Sequence, residues 1–246
     1  MKTLFKLMLS AILLTGFSCN QDDSYVDSNQ VSSKTAVASR AGTSNPFDYL
    51  GELHNNFMTN MHKLKPAKEE IPDLALEFVK KNGYDTSKFD SNTVSGIMDE
   101  SMTTEFTTEK VDEWGKRFRY SDEYKRELYK LADFFNADSY ENTDDIVNQL
   151  KEIETSYLQA KVSEEEKEQL LATIAIARYS TDYWISFYPK DANGHNNKIR
   201  WWARIFGAIV SDVSGAIFGA VGGPAGVLIG AVAGSAGVQF LVDDNL

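Results

Sequence analysis

Apolar residues recur along this chain at intervals of three and four, the spacing that lines side chains up on one face of an α-helix. Phe47, Leu50, Phe57, Met61 and Leu64 make the first such face. Asn45-Pro46 predicts its start, an N-cap side chain followed by proline at the first helical position, and Asp48 falls in the first turn, where a carboxylate complements the helix dipole. A second helix is expected from Pro72 to Gly83, with Leu74, Phe78 and Val79 inward and Asn82-Gly83 as its stop. Shorter helices are expected over 91–102 and 109–118, the latter aligning Val111, Trp114 and Phe118. Ser121 caps a helix carrying Tyr124, Leu128, Leu131 and Phe135, and Thr143 opens one carrying Ile146, Leu150, Ile153 and Tyr157. The clearest pattern runs from Ser163 to Tyr188: Ser163 and Glu166 form a capping box, and Leu170, Ile174, Ala177, Thr181 and Trp184 form an inward stripe. No stretch shows the sustained alternation of a half-buried strand, and no Asn-Gly pair joins two such runs as a hairpin turn. The fold expected is all-α, an irregular helical bundle over 45–198 that ends in a glycine-rich helical hairpin over 199–246.

That hairpin obeys a different rule from the rest. Nine of the 16 glycines lie between Gly207 and Gly237, and the 30 residues from Val213 to Val242 carry no charge. Gly215, Gly219 and Gly223 step by four, as do Gly222, Gly226, Gly230 and Gly234. Such spacing keeps the small residues on one helical face, where two backbones can approach closely. Each interior glycine costs roughly 1 kcal/mol of helix propensity relative to alanine, so close packing or membrane insertion must offset several kcal/mol. Gly222-Gly223-Pro224 is the natural break, leaving two helical halves of about 25 and 27 Å against a hydrocarbon core of ~30 Å. The segment resembles the glycine-zipper hairpins of membrane-inserting proteins and of some small bacteriocins. Asp212 weighs against simple insertion, since a carboxylate at that depth costs about 2.5 to 3.5 kcal/mol and needs a partner or water. Three placements stay open: packed within the helical domain, associated with a membrane, or in contact with a second copy. Trp201 and Trp202, beside Lys198, Arg200 and Arg204, suit a bilayer interface as well as a core.

The start of the chain carries an address. Lys2 and Lys6 precede the apolar run Leu7 to Leu14, too short to span a bilayer comfortably, and Ser18 stands before Cys19, the single cysteine. Residues 1–18 resemble a bacterial lipoprotein signal, which implies cleavage before Cys19 and lipid on its side chain; Gly16 and Phe17 depart from the strict leucine-led motif. The following Asn20, Gln21, Asp22 and Asp23 resemble the acidic export signal of Bacteroidota-type lipoproteins, implying an outer-membrane, surface-exposed position. The other reading of the segment is an ordinary secretory signal that leaves a free cysteine. Residues 19–44, rich in Ser, Asp, Asn, Gln and Thr without apolar periodicity, read as a flexible tether.

Composition narrows the function further. With 25 basic against 36 acidic residues the net charge is -11, and loss of residues 1–18 leaves 23 basic, so nucleic acid is not an expected partner. One cysteine and three histidines exclude a disulfide framework and a Cys-rich zinc site and leave little for a His-based metal centre; no metal and no cofactor are expected. Metalloprotease, nucleophile-elbow, Walker and dinucleotide motifs are absent. The turn from Asp191 to Lys198, which holds His195, has its glycine at the wrong place for a calcium loop and Trp202 where an acid is needed.

His54 is the residue most able to carry chemistry, because it falls on the apolar stripe of the first helix with Asn55 next to it; a buried histidine is either a general base or a hydrogen-bonded core residue. His62 lies about 12 Å further along the helix, too far to share a metal ion. The cluster Tyr179, Tyr183, Trp184, Phe187 and Tyr188 reads as a core seam before a sugar platform. Taken together, Asn45-Pro46-Phe47-Asp48 with Gly51 and His54-Asn55, then Ala177-Arg178-Tyr179-Ser180 through Trp184, then Trp201-Trp202 and the glycine tail, resemble a group of Bacteroidota-type surface lipoproteins. That resemblance implies a location and no activity. The expectation is a non-enzymatic lipoprotein held to the membrane by lipid on Cys19, whose hairpin contacts a membrane, a protein or its own domain. A membrane-active, bacteriocin-like protein and an enzyme using His54 are the competing expectations.

Overall fold

The structure, a computed structural model, describes residues 45–137, 143–188 and 198–243, with side chains described from 45–137, 143–188 and 203–238. The cleavage region, Cys19, the export signal Asn20 to Asp23, the tether and His195 lie outside the described residues, and so do the side chains of Trp201 and Trp202. All described residues belong to one compact unit, and its regular structure is helical, with no strand among them. In chain order the helices are α1 (Asp48–Leu64), α2 (Ile71–Lys81, preceded by a 3-10 turn at Lys68–Glu70), α3 (Ser91–Thr103), α4 (Thr108–Phe118), α5 (Asp122–Phe135), α6 (Thr143–Gln159), α7 (Glu164–Phe187), α8 (Lys198–Gly219) and α9 (Gly223–Asp243).

The boundaries follow local chemistry. Asp90, Thr107 and Ser121 cap α3, α4 and α5 by accepting from the backbone N–H two or three residues into each helix. Ser163 and Glu166 form the expected capping box of α7, and Glu166 also accepts from the Ser121 N–H at 2.9 Å, so one side chain serves two helix starts. Gly83 ends α2 with φ +88°, a left-handed conformation that glycine adopts without strain. α1 departs from expectation by starting at Asp48, because Asn45 is used elsewhere. Its Oδ1 accepts from the Phe47 N–H at 2.9 Å, while its Nδ2 donates into the core to Glu154 Oε1 at 2.7 Å and to the Leu171 carbonyl at 2.9 Å.

The glycine-rich hairpin is the centre of the molecule. α8 and α9 run antiparallel against each other, and α1, α2, α3 and α7 pack around them, while α4, α5 and α6 build outward from that group. Ile205, Ile209, Val213, Ile217, Leu228, Ile229 and Val232 are fully buried. Across the hairpin a Cβ at Gly215 would overlap the Gly230 carbonyl and one at Gly230 would overlap the Gly215 carbonyl; Gly219 and Gly226 stand in the same reciprocal relation. Gly234 lies against the Ser211 backbone rather than a glycine, and Gly237 lies against Met98 and Met102 of α3. These backbone contacts explain why the propensity cost of glycine is tolerated here: alanine would push the two helices apart.

One member of the expected glycine face, Gly223, takes no part in the packing face. A Cβ added at Gly223 would meet nothing within 4 Å and its φ is +71°, so it forms the reversal between α8 and α9. Two inward stripes also shift by one residue: Phe134 is buried where Phe135 was expected, and Glu154 is buried where Ile153 was expected. Glu154 is tolerated because it accepts from Asn45 and from Arg178 Nη1 at 2.8 Å, and Arg178 also reaches Asp48 at 2.7 Å.

Candidate functional site

Asp212 sits in the middle of α8 and is fully buried. Four side chains converge on it from three helices. Ser235 of α9 donates to Oδ1; Ser180 of α7 donates to Oδ2; Trp184, one turn further along α7, donates its Nε1–H to Oδ2 at 2.8 Å. His54 of α1 places Nε2 3.5 Å from Oδ2 and 2.8 Å from the Ser235 hydroxyl oxygen. The sequence placed His54 and Asp212 on apolar faces 158 residues apart, and the fold brings them together.

The hydrogen bonds assign the protons. Asn55 donates its Nδ2 to the Tyr179 carbonyl at 2.9 Å, so its Oδ1 must be the atom 2.9 Å from His54 Nδ1. An amide oxygen only accepts, which puts a proton on Nδ1. At the other ring nitrogen, the Ser235 hydroxyl spends its proton on Asp212 and so accepts from Nε2. Both nitrogens of His54 then donate, the pattern of an imidazolium facing a carboxylate, with Ser235 bridging them. Burial pushes the Asp212 carboxyl above the usual carboxylate range, and His54 together with the bonds from Ser180, Ser235 and Trp184 pulls it back.

Ser235, His54 and Asn55 superficially form a nucleophile, base and orienting amide. Their surroundings oppose that use. Ser235, His54 and Asp212 have no solvent exposure, and the serine hydroxyl points its proton at Asp212 instead of at the imidazole. A base acting on Ser235 would need a free Nε2 lone pair, and a reacting atom would need space about 3 Å from the hydroxyl. What the arrangement does is join α1, α7, α8 and α9 through one carboxylate.

The remaining expected residues are spread elsewhere. Tyr179, Trp184 and Tyr188 are buried, and Trp184 stacks on Tyr188 with centroids 5.5 Å apart, so these three belong to the core, while Tyr183 and Phe187 are half-buried at its edge. His62 packs its ring edge against Phe187. Among the described residues no group of three His, Cys, Asp or Glu side chains is placed to hold a metal ion. A groove of about 390 Å³ between α5 and α6, lined by Lys130, Phe134, Gln149 and Glu152 among others, is open and mixed in charge. The second buried polar group, Asn45, Glu154, Arg178 and Asp48, was not singled out from sequence; Glu154 at an apolar-stripe position and Arg178 between Ala177 and Tyr179 were its only local signals. It ties Asn45 and Asp48 to α6 and α7. Against protein-family models, curated proteins and solved structures, comparison finds no match to this chain.

Proposed function

We propose that the protein is an outer-membrane lipoprotein, surface-exposed or periplasm-facing, in which lipid on Cys19 and the tether over 19–44 hold a non-enzymatic helical binding domain. The observation that carries this reading is the sealed state of the cluster around Asp212: among the described residues, His54, Ser235 and Asp212 are spent on each other and on the packing of the hairpin. Recognition then falls to the outer faces of the helices, whose charges are those of an acidic domain. The resemblance of residues 1–23 to a lipoprotein signal and export signal supports the location.

The test is Cys19→Ala in the native host. The wild-type chain should incorporate labelled fatty acid and fractionate with the outer membrane, and the variant should lose the label and either leave the membrane or retain an uncleaved leader. A variant that keeps both label and fractionation would overturn the lipid anchor.

A further inference from the structure

We propose that the start of α1, the α2–α3 turn and the tip of the α8–α9 hairpin form one docking face for a phospholipid bilayer, so that the folded domain stands with this end against the headgroups and its opposite end outward. The proposal rests on the reading of Cys19 as lipidated, and adds to that anchor a second point of contact and an orientation.

Hydrogen bonds fix which segments share this end. Gln169, near the start of α7, donates to the Ala220 carbonyl at the hairpin tip at 3.2 Å, and Asn45 donates to the carbonyl of Leu171, two residues further along α7. From there α1 runs beside α7 in the same direction, Asn55 meeting Tyr179 and His62 meeting Phe187. The chain therefore enters the domain beside the tip, and the turn after Leu64 lies at the far end, about 25 Å away along the 17 residues of α1. Among the described residues the two large apolar side chains left exposed are Tyr49 at 40% and Val221 at 52%, and both stand at this end. A continuous band joins them. Phe47 and Tyr49 hold their ring centroids 6.3 Å apart, Tyr49 stacks on Tyr84 at 6.4 Å, and Tyr84 leads into the α2–α3 turn, whose Phe89 ring lies against Gly222 and Gly226 next to Val221. Phe47, Tyr84, Phe89 and Pro224 are half-buried, so the band is apolar and partly open along its whole length. Tyrosines, with an apolar ring and a polar tip, suit the headgroup level of a bilayer. The turn exposes charges of both signs, Asp85 and Lys88, which fits zwitterionic headgroups.

The length of chain before Asn45, and the place where it joins the domain, point to a bilayer as the occupant. Residues 20–44 put 25 residues between Cys19 and Asn45, a reach of at most about 90 Å. An anchor on a tether of that order keeps the membrane surface at an effective concentration in the millimolar range. A face of only about millimolar affinity, too weak to bind from dilute solution, is then occupied roughly half of the time. The point of attachment selects this end over the other. With the tip on the bilayer Asn45 is already at the headgroups, whereas docking by the turn after Leu64 would hold Asn45 about 25 Å away from them.

The experiment attaches the lipid chemically, which separates it from the Cys19→Ala test. The chain from Cys19 onward, which contains every described element, is coupled through its single cysteine to a maleimide-headgroup lipid in phosphatidylcholine nanodiscs that also carry a paramagnetic-headgroup lipid. Methyl NMR then reads line broadening at Thr86 and Ala225, at the docking end, and at Ala67, exposed in the turn after α1. Thr86 and Ala225 should relax several times faster than Ala67. Tyr49→Ser combined with Val221→Ser removes the two exposed side chains and should bring the three signals to similar broadening. Equal broadening at both ends in the wild type, stronger broadening at Ala67, or a wild-type pattern in the double variant would overturn the proposal and leave the lipid anchor standing. Sedimentation of the cysteine-blocked protein without lipid should find a monomer; a dimer that the double variant dissociates would assign the face to a second copy and overturn the proposal. Failure of the anchor reading shows separately, as a Cys19→Ala protein that keeps its label and fractionation in the host.

Discussion

Gly230→Ala and Gly219→Ala should each lower the stability of the domain by about 2 to 3 kcal/mol, the upper part of the range for overpacked cores. Intrinsic propensity predicts the opposite, because alanine favours a helix over glycine by roughly 1 kcal/mol. Packing decides the sign. The added methyl at either site meets a backbone carbonyl of the facing helix, which cannot rotate aside as a flexible side chain can. The two helices must separate, and every buried residue flanking the seam then loses contact. Gly207 is the internal control: it is exposed on α8 with nothing within 4 Å of an added Cβ, so Gly207→Ala should stabilise by about 0.5 to 1 kcal/mol. Urea unfolding of the three variants checks both signs. The double variant Gly219→Ala with Gly230→Ala should cost less than the sum, since one separation accommodates both methyls. Equal stabilisation at Gly207 and Gly230 would refute the close seam.

Asp212→Ala should be the most damaging single change, about 3 to 5 kcal/mol, the cost seen when one partner of a buried charge pair is removed. It leaves the donors of Ser180, Ser235 and Trp184 and the His54 imidazole buried around a void. His54→Leu in the same background should recover part of the loss, because it removes the stranded imidazole. Exposed pairs provide the comparison: Glu100→Ala breaks a bridge to Arg117 in which both side chains are more than a third exposed, and should cost no more than ~1 kcal/mol. Chemical denaturation at pH 7 separates these outcomes. An Asp212→Ala protein as stable as Glu100→Ala would show that the buried cluster does not hold the helices together.

The helices were legible because three signals agreed: apolar period, capping side chains and stop residues. Ser121 and the Ser163-Glu166 box mark starts that the structure keeps. Where long-range partners compete, local signals misplace a boundary; Asn45 reads as an N-cap, yet its amide is drawn to Glu154, 109 residues away. Gly223 has the same spacing from Gly219 that Gly219 has from Gly215, so periodicity placed it on the packing face. The need to reverse direction before Pro224 overrode that spacing. Glu154 was hidden in the same way. It follows Leu150 by four, a stripe position, but nothing nearby in sequence announces Arg178 as its partner.

The buried cluster was half visible. A lone carboxylate in an apolar, glycine-rich run implied that Asp212 needed a partner, and His54 stood on an apolar stripe needing one of its own. Sequence spacing could not join them, because helix order along the chain does not say which helices become neighbours. Ser235 and Ser180 carried no signal at all, being small polar residues of the kind that close helix packing also selects.

Amide hydrogen exchange at neutral pH, followed residue by residue, tests most directly whether the hairpin is the core around which the domain folds. Amides in the middle of α8 and α9, around Asp212 and Gly230, should be among the slowest in the protein. They should exchange only with global unfolding, together with those of α7 around Ser180. Hairpin amides that exchange faster than the α7 amides, through an opening that leaves α1 and α7 protected, would contradict that account.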